Sequence, residues 1–157
     1  MKRALVLAAL ALAAPAAAAT KLVIQPADER RAQQSLPQSH APLWAVLRRT
    51  RVIEDDRHGL FSAAFPPEVQ ALQGRTVALS GFMLPLDTQA RAQHFLLSRY
   101  TPVCFFCPPG APNEVVEVTT HAGVPLTDRM LTVSGRLRLT RASDKGLFFR
   151  LDDAIAR

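Results

Sequence analysis

The sequence predicts a mostly β fold. Three observations carry this. From Arg75 onward, five short stretches alternate apolar and polar residues or cluster β-branched ones, which is the signature of strands. Two of these stretches carry glycine in their interior, Gly81 and Gly135, where a sheet can bulge or turn a corner. The chain has 157 residues, 48% hydrophobic and 20% charged, which suits one globular domain. Five short strands with bending points close most simply as a small, partly open barrel of the OB type, and a two-sheet sandwich is the alternative.

Before the strands, one or two short helices are expected. Ala41 to Arg49 reads as the first, with Pro42 in its opening turn and Leu43, Trp44 and Leu47 at helical spacing. Trp44, the only tryptophan, is expected to anchor the core. Residues 50–64 carry mixed charge and Gly59 and read as loop. Pro66 and Pro67 open a single helical turn through Leu72, which Gly74 ends.

The strands follow in order. Thr76 to Phe82 puts Val77 and Leu79 on one face. His94 to Ser98 is short and apolar, and Glu114 to Thr120 is rich in β-branched residues. Met130 to Thr140 sets Leu131, Val133, Leu137 and Leu139 against Thr132, Ser134, Arg136 and Arg138. Gly146 to Leu151 closes the set with Leu147, Phe149 and Leu151 facing one way. Between the third and fourth strands, His121 to Arg129 contains Gly123 and Pro125, so a loop is expected there in place of a helix.

The N-terminus reads as an address. Lys2 and Arg3 precede an apolar run from Ala4 to Ala14, Pro15 breaks it, and small residues lead to a cleavage site after Ala19. The run is too short to span a bilayer, so no stable membrane span is expected in the mature chain. No cysteine stands at the cleavage site to take a lipid. Residues 1–19 are therefore expected to be a signal peptide, 20–40 a flexible lead-in and 41–157 a single OB-like domain. The alanine-rich leader points to a bacterium, and hence to the periplasm. Formal charge is +6, and loss of Lys2 and Arg3 lowers it to +4. The remaining positive charges are scattered arginines without aromatic interleaving, so nucleic acid is not expected as a partner.

No Gly-rich phosphate loop, HExxH or GxSxG occurs, and a non-enzymatic role is expected. The paired acids Asp55–Asp56 and Asp152–Asp153 diverge in extended chain and read as solvated charges. Asp87 reads as a turn cap, and Ser98, His94 and Asp87 lack any surrounding nucleophile motif. The chemistry lies in Cys104-Phe105-Phe106-Cys107. A thioredoxin-like redox site needs a helix running on from the motif, which Pro108, Pro109 and Pro112 forbid. The spacing is also half of a tetrahedral metal site. His94 and His121 could complete it for zinc, and Met83 or Met130 would suit Cu(I). An oxidising compartment favours a disulfide across the turn. Two buried reduced thiols are the fourth reading.

The motif string supports a comparison. Leu72 to Leu86, with Gly81-Phe82-Met83-Leu84-Pro85-Leu86 at its end, leads to His94-Phe95-Leu96-Leu97. The Cys- and Pro-rich turn, Asn113 to Val118, Val133 to Leu137 and Gly146 to Leu151 follow. In that order the chain resembles a family of small exported bacterial proteins of unknown function, across residues 41–154. The resemblance implies a periplasmic accessory protein encoded beside ABC-type export systems, with a periplasmic or membrane transport protein as partner and a link to metal supply or efflux. The candidate functions are thus an accessory or binding protein, a thiol–disulfide redox protein, or a Zn(II)/Cu(I) chaperone.

Overall fold

A computed structural model of the protein describes residues 27–55, 57–103 and 109–157. The expected barrel is present. β3 (Thr76–Pro85), β4 (Arg91–Ser98), β5 (Val115–Pro125), β8 (Phe149–Ala156) and β6 (Leu131–Leu139) close in the order β3-β4-β5-β8-β6. Every neighbouring pair is antiparallel except β5 with β8, which runs parallel through Glu117↔Arg150 and Val118↔Leu151.

Closure depends on how β3 changes partners. Its first half pairs with β6, from Thr76↔Arg136 to Gly81↔Leu131, and its second half pairs with β4, from Phe82↔Ser98 to Pro85↔Phe95. The switch falls at Gly81, where a Cβ would lie 2.5 Å from the carbonyl oxygen of Ser98. Only a residue without a side chain lets the two strands cross so closely. Gly135 does the same on β6: a Cβ there would meet the Asp152 oxygen at 2.9 Å, and the ladder to β8 slips between Ser134 and Arg136.

The barrel interior is filled by Phe95, Leu97, Val116, Val118, Val133, Leu137, Phe149 and Leu151. Three short helices precede it, where one or two were expected: α1 (Ala27–Gln34), α2 (Pro42–Leu47) and α3 (Pro67–Gln70). α2 begins at Pro42 and buries Trp44 and Leu47 in the barrel core. The indole Nε1 donates to Ser80 O at 2.8 Å, so the tryptophan's polar edge is satisfied as its rings are buried.

Within the stretch expected as a lead-in, the described residues carry secondary structure and buried side chains. Residues 27–34 form α1, and Gln33 and Ser39 are buried. Residues 50–64 are not a loop, but the hairpin of β1 (Arg51–Asp55) and β2 (Leu60–Ala64), extended by β7 (Ala142–Ser143) into a three-stranded sheet. Its inward positions are few, chiefly Phe61 and Ala63, and charged residues occupy most of β1, which hid the alternation.

The His121–Arg129 stretch is loop only from 126 onward, because β5 continues to Pro125 through a bulge at Gly123 (φ +65°) stitched to Arg91. The last strand starts at Phe149, not Gly146, which leaves Leu147 outside it.

Replacing Gly81 with alanine forces backbone apart at the strand switch. A loss of about 1–3 kcal/mol is expected, read as a lower urea midpoint with an unchanged slope.

Candidate functional site

Cys104 and Cys107 lie outside the described residues, which stop at Val103 and resume at Pro109. What is described is the frame that holds the two flanks of the segment that carries them. Gln33 is buried on α1, and its Nε2 donates to Thr101 O at 3.1 Å and to Pro109 O at 2.9 Å. One carboxamide therefore bridges the two flanks of the turn. Ser98 Oγ also donates to Pro109 O, at 2.7 Å, and accepts from the Tyr100 backbone N–H at 3.1 Å. The N-terminal segment is laid alongside: Ser39 N–H donates to Arg99 O, and both Thr101 N–H and its hydroxyl donate to Pro37 O.

Behind this frame lies a charge cluster. Glu114, 2% exposed, ends the 3-10 turn Pro112–Glu114 that leads into β5. Arg30 Nη2, Arg48 Nε and Arg99 Nη1 each approach its carboxylate at 3.1 Å. Arg99 is itself fixed: Nη1 donates to Tyr100 Oη at 2.7 Å, Nη2 to Gln38 Oε1 at 3.1 Å, and the guanidinium lies 4.8 Å from the Tyr100 ring centroid. A buried carboxylate is tolerated only when paired and hydrogen-bonded, so three separate chain segments are held to one point. Asn113 ties the end of α2 to the same place by donating to Arg48 O and Thr50 O.

Among the described residues, one cavity touches Thr101–Val103 and another touches Pro109 and Gly110. The larger, about 530 Å³, lies between the end of β3, the Thr101–Val103 segment and the β5–β6 loop, and is lined by Phe82, Met83, Pro85, Val103, Leu126 and Asp128 among others. The smaller, about 250 Å³, has Leu86, Leu96, Leu147, His94 and Glu117 on its walls, with Pro109 and Gly110 on the side of the turn. Both fall in or near the size range of small-ligand sites and are mainly apolar.

The auxiliary ligands expected from sequence are dispersed. Met83 lines the larger cavity and His94 the smaller. His94 Nε2 is engaged by Glu117 Oε1 at 2.8 Å. His121 lines neither cavity and sits 3.1 Å from Asp153 Oδ1. Met130 is exposed. Among the described residues, no three His, Cys, Asp or Glu side chains come together as a metal site.

The remaining polar residues take structural roles. Ser98 is spent on the frame. Asp87 caps the β3–β4 turn, accepting N–H groups from Gln89, Gln93 and His94. Desolvation raises the Asp87 pKa, but those donors outweigh it and hold the carboxyl below its ordinary value. Asp152 pairs with Arg138 and Arg150 while Asp153 turns to His121, so the two carboxylates do diverge. Gln33 and the Glu114–arginine cluster were not anticipated. No short motif links positions as far apart as 30 and 114.

Fold and frame together define the class: a small closed five-stranded β-barrel whose connection from β4 to β5 carries a cysteine pair and is braced by an N-terminal polar strap. The chain belongs to the family described as protein of unknown function (DUF3299), whose model matches residues 20–148. It is similar to the crystal structure of a DUF3299 family protein from Pseudomonas aeruginosa PAO1, at 23% identity and a TM-score of 0.49, covering 77% of this chain and 83% of that one. No curated protein matches the chain.

Replacing Gln33 with leucine removes the donor from two backbone carbonyls. The expected cost is about 1–3 kcal/mol in urea unfolding, together with faster limited proteolysis between residues 101 and 110. Unchanged cleavage there would mean that Gln33 does not brace the turn.

Proposed function

We propose that the protein is an exported, non-catalytic binding module, an accessory of a periplasmic or membrane transport protein, whose recognition surface is the Cys104–Cys107 turn with the two cavities that its flanking residues line. Export rests on the N-terminal pattern of residues 1–19. The observation that carries the binding role is the bridge from Gln33 to Thr101 O and Pro109 O, which fixes the base of the turn from both sides. Fixing the two flanks lowers the ordering cost that this connection pays on binding, and binding residues are commonly carried on connections of a rigid scaffold.

The cysteines are read as a disulfide that closes this turn. The oxidising compartment favours that state. Met83 and His94 line different cavities, so these two side chains do not converge with each other on one ion.

Intact-mass spectrometry of protein purified from the periplasm tests the reading. A denatured mass about 2 Da below the reduced value is expected, with no metal-sized increment in the native spectrum after exposure to Zn(II) or Cu(I). One ion bound per chain, lost in the Cys104→Ser/Cys107→Ser variant, would replace the disulfide with a metal site. Steady turnover in an insulin-reduction assay, lost in the same variant, would make the protein a redox enzyme instead.

A further inference from the structure

β1 is the outer strand of the β1-β2-β7 sheet, and the direction of its free edge can be read from its neighbour. Ala63 of β2 donates its N–H to the oxygen of Arg141, just before β7, at 2.8 Å, so the backbone polar groups of Ala63 face β7. Successive residues of a strand turn these groups to opposite sides. Ser62 therefore faces β1, and its partner Ile53 faces back toward it. Arg51 and Asp55 share that orientation. Val52 and Glu54 direct their N–H and C=O groups to the open edge, and among the described residues no other backbone group bonds them there.

The side chains on the outward face are Arg51, Ile53 and Asp55, with Ile53 45% exposed and Leu60, opposite Asp55 on β2, 43% exposed. We propose that this edge pairs with the same edge of a second copy of the chain, antiparallel about a two-fold axis through Ile53. In that register Val52 and the partner's Glu54 exchange both backbone hydrogen bonds, and the symmetric pair repeats them. Ile53 meets the partner's Ile53, and Arg51 meets the partner's Asp55, at the non-hydrogen-bonded positions where side chains approach most closely.

The charge order makes this register specific. Read antiparallel from Ile53, the positive end of the strand lies against the partner's negative end on both sides of the axis, as an isologous contact requires. A slip of two residues sets Ile53 against Arg51 or Asp55 and loses the paired charges. A parallel arrangement puts like charges together. Asp55 carries its charge at neutral pH, since the His58 side-chain hydrogen bond at 2.7 Å lowers its pKa. The pairing uses none of the residues of the proposed recognition surface, so the inference stands whether or not the binding role does. An exposed apolar edge strand is commonly guarded by charge; here the charges complement their own copy.

Sedimentation equilibrium of the mature chain across a concentration series tests the pairing. The weight-average mass should rise from the monomer value toward twice that value, and rise less at high salt. Arg51→Glu and Ile53→Lys should each hold the protein at the monomer mass. Asp55→Arg should do the same, and an equimolar mixture of Arg51→Glu with Asp55→Arg should regain the dimer, because each variant supplies the charge the other lacks. Asp55 also caps its own turn, so Arg51→Glu and Ile53→Lys, both at exposed positions, carry the test if Asp55→Arg fails to fold. A monomer at every concentration, or a dimer indifferent to Arg51→Glu and Ile53→Lys, overturns the proposal.

Discussion

The buried carboxylate of Glu114 is the constraint around which the rest of this molecule is arranged. An ion taken out of water costs several kcal/mol unless its lone pairs are filled by charged donors, and Glu114 fills them with Arg30, Arg48 and Arg99. The three arginines come from α1, from the end of α2 and from the residue after β4. None of these segments can move away without exposing or orphaning a charge. The hydrophobic core alone would hold α2 and the barrel. The carboxylate, together with Gln33, is what ties α1 to the flanks of the β4–β5 connection.

That unit reaches the barrel through a second shared point, the carbonyl of Ser80. Trp44 Nε1 and Ser39 Oγ both donate to it, at 2.8 and 2.6 Å. Ser80 immediately precedes Gly81, where β3 leaves β6 for β4. The N-terminal strap is therefore fastened to the bend that closes the barrel. From there it runs past Pro37 and Gln38, which bond Thr101 and Arg99, toward the flanks of the cysteine turn. The strand that shapes the barrel and the strap that braces the turn are mechanically one structure.

Much of the barrel was legible because its strands obey a period of two. Leu131, Val133 and Leu137 are buried on β6 as their spacing required, and the two interior glycines do mark the bends. The absence of a helix between β5 and β6 was legible from Gly123 and Pro125. What escaped was held by polar contacts. α1 has no apolar stripe, since it docks through Gln33 and Arg30, and hydropathy cannot register a surface that binds by hydrogen bonds. β1 escaped because its outward face carries Arg51 and Asp55 at an open sheet edge. In the site, the cysteine pair stood out at once by residue type. Its frame did not, because Gln33, Ser98 and Glu114 are ordinary residues whose importance comes only from distant partners.

Amide hydrogen exchange at Arg99–Thr101 and Glu114–Val116, compared before and after reduction of the protein, tests most directly whether the carboxylate-centred frame holds the turn. If it does, protection at these flanking amides stays the same when the cysteines are reduced. Loss of protection on reduction would mean that the sulfurs hold the ends of the turn and that the frame around Glu114 merely follows them.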